Sequence, residues 1–78
     1  MLAYVIRVYL KDGSWYYARN NGYGSVTVDH VSDVSSAICF KTTREATEYF
    51  DRHIRDRYDP RTGQYVDNNR TCLIQVEY

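Results

Sequence analysis

Residues 2–19 read LAYVIRVYLKDGSWYYAR, and the fold follows from how this stretch pairs with itself. Leu2, Tyr4, Ile6, Val8 and Leu10 occupy alternate positions, the period of a strand with one buried face. Asp12-Gly13 follows, a dipeptide suited to the left-handed backbone of a two-residue hairpin loop. Residues 14–19 are then the returning strand. Such a loop sets Leu10 opposite Trp15 and Val8 opposite Tyr17, on the core side with Ile6. It sets Tyr9 opposite Tyr16 and Arg7 opposite Ala18 on the outer side. A bulge would shift this register by one residue and exchange the faces.

Beyond the hairpin, residues 20–25 (Asn-Asn-Gly-Tyr-Gly-Ser) read as a loop, with Tyr23 between two glycines. Residues 26–31 form a third predicted strand, residues 32–36 a polar turn, and residues 37–41 a short extended segment that delivers Phe40 to the core. Thr42-Thr43-Arg44-Glu45 matches a capping box, in which Thr42 and Glu45 satisfy each other's backbone donors. Ala46, Tyr49, Phe50, Ile54 and Tyr58 then recur at helical spacing, and Glu48–Arg52 and Asp51–Arg55 are favourably ordered i,i+4 pairs. Asp59-Pro60 is the expected helix end, because the residue before proline is pushed out of the α region. Residues 61–70 read as a polar loop turning near Thr62-Gly63. Residues 71–78 read as a last strand with Cys72, Ile74, Val76 and Tyr78 on one face. The expected fold is a single α+β domain over residues 1–78. It has a three- to five-stranded, largely antiparallel sheet in the order β-β-β-(β)-α-β, with one helix on one face.

The composition narrows the function. Ten basic residues balance ten acidic ones, which gives neither the basic footprint of a typical nucleic-acid binder nor the charge of an acidic DNA mimic. No apolar run approaches the length of a membrane span, and no basic–apolar–small leader pattern opens the sequence. With two cysteines rather than a disulfide framework, a reducing cytoplasm is the expected compartment. Cys39 and Cys72 sit in strand-like apolar stretches and read as small core hydrophobes. With His30 and His53 they have the types of a zinc site but lack closely spaced ligand pairs. Cys39, His53 and Asp51 can be written as a nucleophilic triad only in the way any chain of this size offers one. Gly22-Tyr23-Gly24 is too short for a phosphate loop. The reading is a non-enzyme with no metal and no cofactor.

What remains is a binding surface. Nine tyrosines, one tryptophan and a basic complement that is mostly arginine are the side chains that dominate interface hot spots. The predicted outer hairpin face gathers Arg7, Tyr9 and Tyr16, with Tyr23 in the adjoining loop. Tyrosine offers a large contact area for little rotamer entropy, and arginine offers forked hydrogen bonds. A second arrangement leaves this face covered by residues 61–69. The arginines at the helix end and beyond, Arg57 and Arg61 among them, are secondary contact candidates. They also support the alternative of a small nucleic-acid-binding module, although Asp51, Asp56, Asp59 and Asp67 interleave with them.

The stretch Ala-Ile-Cys-Phe-Lys-Thr-Thr-Arg-Glu-Ala-Thr-Glu-Tyr-Phe, residues 37–50, preceded by Tyr4-Val5-Ile6-Arg7, resembles short phage and prophage accessory proteins. In those, a strand ending in Phe passes through a Ser/Thr cap into a helix. The resemblance implies a protein that binds and blocks or redirects a host protein or ribonucleoprotein by stoichiometric contact, as anti-CRISPR and other anti-defence proteins do. It also implies action in the host cytoplasm, and it transfers no catalytic residue. A third reading, from the strand pattern and not from the resemblance, is a subunit of a homo-oligomer, with residues 71–78 or an exposed edge pairing across a dimer; the chain is otherwise a monomer.

Overall fold

A computed structural model describes residues 2–19, 37–60 and 62–77. The predicted third strand at 26–31, the loop and turn beside it, and Tyr23, His30 and Arg61 lie outside the described residues. The elements are β1 (Leu2–Tyr9), β2 (Trp15–Tyr17), α1 (Thr43–His53), β3 (Tyr58–Asp59), β4 (Gln64–Tyr65) and β5 (Cys72–Glu77). They form an antiparallel three-stranded sheet in the order β2-β1-β5, a two-stranded β3–β4 ribbon and one helix. This is the α+β class that the sequence implies.

β1 is central because its apolar residues serve both faces. Ile6 and Val8 point to the helix side and Val5 to the other, and all three are fully buried. Each edge of β1 is completed by two segments. On one edge β2 covers Arg7 to Tyr9, and Phe40 then exchanges two 2.8 Å backbone hydrogen bonds with Tyr4. On the other, β5 covers Leu2 to Arg7, after which Lys11 N–H donates to Tyr65 O and Asp67 N–H to Tyr9 O. Val66 forms a bridge with Leu10 and is itself buried, so the segment expected to be a polar loop supplies a core residue. The core joins Ile6, Val8, Leu10 and Tyr16 to Phe40, Ala46, Phe50, Ile54 and Val66. Each such fully buried aliphatic side chain contributes about 1.5–3 kcal/mol.

The helix begins where expected and ends early. Thr42 is the N-cap, its hydroxyl accepting from Glu45 N–H at 3.1 Å. Glu45 does not return to Thr42; its carboxylate accepts from Lys41 N–H at 3.3 Å. Thr42→Ala should therefore lower stability by about 1 kcal/mol in urea denaturation, with the denaturant slope unchanged. The C-terminal end lies at His53 rather than at Asp59-Pro60. The N–H groups of Ile54 and Arg55 both donate to Phe50 O at 2.9 Å, and Asp56 then takes the left-handed region at φ 58°. Asn68 holds that turn, accepting from Asp56 N–H at 3.0 Å and donating to the Asp56 carboxylate. Aspartate tolerates this backbone region better than most residues. Tyr58 is thereby moved off the helix into β3, opposite Tyr65. On the helix surface Asp51 and Arg55 pair as expected at 2.8 Å, whereas Glu48 meets Arg44 at 3.4 Å. Tyr49 packs between Phe40 and His53, and burial raises its phenol above the ordinary range. No helix among the described residues is long and apolar enough to cross a membrane.

Candidate functional site

The β1–β2 loop decides which aromatics reach the surface. Gly13 N–H donates to Leu10 O at 2.9 Å, closing a turn, and Leu10 N–H donates to Ser14 O at 2.8 Å. Gly13, at φ 92°, adds one residue to the loop, which is the three-residue hairpin with a glycine bulge rather than the two-residue form. Asp12 fixes it, its carboxylate accepting from Ser14 N–H at 2.9 Å and Ser14 Oγ at 2.6 Å. Those bonds hold Asp12 below the usual carboxylate range.

The consequence is a register one residue away from expectation: Tyr9 faces Trp15, Val8 faces Tyr16 and Arg7 faces Tyr17. Tyr16, assigned to the outer contact face, is a core residue at 5% exposure. Trp15 and Tyr17 take its place beside Arg7 and Tyr9.

The four side chains form one cluster. The Arg7 guanidinium lies 4.4 Å from the Trp15 ring centroid and 5.5 Å from that of Tyr17, and it donates to the Tyr17 hydroxyl at 3.0 Å. Hydrogen bonds with Tyr17 and then Tyr9 raise the Arg7 pKa further, so it is a permanent cation. Trp15 meets Tyr17 edge-on at 5.2 Å and Tyr9 at 6.5 Å. Arg70, in the turn that precedes β5, lies 5.1 Å from the Tyr9 ring. Arg7, Tyr9 and Tyr17 are buried or half-buried, and Trp15 is the member that reaches solvent, at 42% exposure. Tyr65 and Tyr58, both largely exposed, stack edge-on at 5.1 Å. Because Val66 points at the core, strand alternation sets Tyr65 and its partner Tyr58 on the opposite side, the side of Tyr9.

No protein-family model, curated protein or solved structure matches this chain. The site is therefore read from its own chemistry.

Two of the arginines after the helix are engaged by neighbours on their own side of the chain. Arg55 is engaged twice by Asp51 and lies 5.1 Å from the Phe50 ring, and Arg57 reaches His53 O at 3.5 Å. Both cysteines are exposed free thiols, which corrects their assignment to the core. Cys72 opens β5 on the side away from the helix, and Cys39 flanks Phe40, whose ring takes the buried position. Among the described residues, no three of His, Cys, Asp and Glu converge as a metal site.

Proposed function

We propose that this chain is a stoichiometric binding protein that sets a rigid aromatic–arginine sheet face against a larger protein or ribonucleoprotein and blocks or redirects it, in the manner of phage accessory proteins. The observation that carries the reading is the Arg7–Trp15 stack. A tryptophan held at the surface by a stacked arginine and two tyrosines is pre-organised, so docking it costs little further conformational entropy. Tyr58 and Tyr65 extend the same side with further aromatic area. The net charge of zero and the engagement of Arg55 and Arg57 by their own helix favour a protein surface over a phosphate backbone.

The test is affinity capture from bacterial lysate with the tagged chain and with its Trp15→Ala variant, each with and without nuclease, at low and high salt. The reading predicts a host protein retained through nuclease and salt by the wild type and lost with the variant. Recovery that disappears with nuclease or salt would replace it with nucleic-acid binding, since phosphate contacts weaken steeply as ionic strength rises.

A further inference from the structure

β5 borders the described sheet, and its main chain is oriented so that half of its polar groups face away from β1. The even-numbered residues of β1 bond toward β2: Tyr4 with Phe40, Ile6 O from Ala18 N–H, and Leu10 N–H to Ser14 O. The odd-numbered ones therefore bond toward β5. The pairs Arg7–Cys72, Val5–Ile74 and Ala3–Val76 are the hydrogen-bonded ones, and the N–H and C=O groups of Leu73, Gln75 and Glu77 point outward. Among the described residues no strand pairs with that outer edge. The usual protections of an edge are missing from it too: Cys72–Glu77 holds no proline, no lysine and a single charge at its end. Beside the edge, Ile6, Phe50 and Leu73 with Thr47 and Thr71 line a shallow groove between α1 and β5.

We propose that this edge is a homodimer interface, in which β5 pairs antiparallel with β5 of a second copy across a two-fold axis at Ile74. The strand is self-complementary in that register. Leu73 meets Gln75 of the second copy through outward-facing N–H and C=O groups on both chains, and Glu77 lies opposite Thr71, whose own N–H already donates to Asp67 O. Cys72 lies against Val76, and Ile74 against Ile74. No like charges oppose each other, and the whole of β5 is paired. Moving the axis toward the C-terminus shortens the overlap and brings the two Glu77 carboxylates toward each other. The register also covers Ile74 and Val76, which are only half-buried in the single chain. Three strands from each copy then make one continuous six-stranded sheet. This interface is separate from the Trp15 cluster, so neither proposal depends on the other.

Light scattering after gel filtration should show a concentration-dependent mass of two chains. Gln75→Pro removes only an outward-facing donor, which an edge strand tolerates, and should abolish the dimer while leaving the circular dichroism spectrum of the monomer. A monomer at every concentration overturns the proposal. So does a dimer that a folded Gln75→Pro chain retains.

Cross-linking tests the register without relying on that variant. In a Cys39→Ser, Cys72→Ser background, the chain carrying Ile74→Cys should form an interchain disulfide on mild oxidation. Its Cα atoms would lie about 4.5 Å apart in a non-hydrogen-bonded pair, within disulfide reach. The chain carrying Val76→Cys should not. Equal or inverted yields overturn the Ile74 axis.

Discussion

Tyr16→Ala is expected to lower the stability of the domain by about 3–5 kcal/mol, seen as a shift of the urea midpoint with little change in slope. Tyr16 is buried among Val8, Ala18, Phe50 and Ile54 in one core cluster, and the bulged hairpin directs it there opposite Val8. Removing the ring leaves a cavity in a core that has little redundancy. A domain of this length has a total stability of only about 4–12 kcal/mol, so the variant approaches or crosses the unfolding threshold. Tyr16→Phe keeps the ring and should stay within about 1.5 kcal/mol of the wild type. A stable, fully folded Tyr16→Ala chain would show the two-residue loop and the unshifted register to be the correct ones.

That contrast marks how far the sequence could be read. The alternation from Leu2 to Leu10 identifies β1, and the Thr42 cap with the Ala46–Tyr49–Phe50–Ile54 stripe identifies α1, because burial periodicity and capping are local signals. The hairpin register is not local in this sense. Trp15, Tyr16 and Tyr17 are all aromatic, so hydrophobicity cannot say which of them faces inward, and one bulged glycine exchanges the faces. The end of α1 was hidden for a related reason. The proline at position 60 is a visible stop signal, but Asp56 turns the chain first, and its partner Asn68 is twelve residues away. β3 and β4, two residues each, are too short to show a period, so Val66 could not be recognised as core before its bridge to Leu10 was known. Within the candidate site, Arg7 and Tyr9 were legible from the strand pattern. Trp15 and Tyr17 follow only once the register is fixed, and Arg70 meets Tyr9 through the pairing of residues 65–67 beside β1.

Trp15→Ala should have the opposite profile to its neighbour: a loss of partner affinity of roughly 30-fold or more, about 2 kcal/mol, with a stability change near 1 kcal/mol. The indole is 42% exposed and lies on the surface of the sheet, so truncating it leaves no closed cavity; its main internal loss is the stacking with Arg7. The affinity loss should be larger because the Trp15 ring is held by Arg7 on one side and by Tyr9 and Tyr17 around it, and those groups present it already ordered. Calorimetry or surface plasmon resonance with the captured partner measures the affinity, and urea denaturation of the same preparations measures the stability. A Tyr58→Ala, Tyr65→Ala chain serves as the internal comparison, since those rings lie on the same side and, among the described residues, no cation stacks on them. If Trp15→Ala binds as tightly as the wild type, the Arg7 cluster is a stabilising patch on the sheet and the contact face must lie elsewhere. If it loses affinity while the tyrosine pair is tolerated, the binding energy is concentrated at the arginine-backed indole, as expected for a hot spot surrounded by weaker contacts.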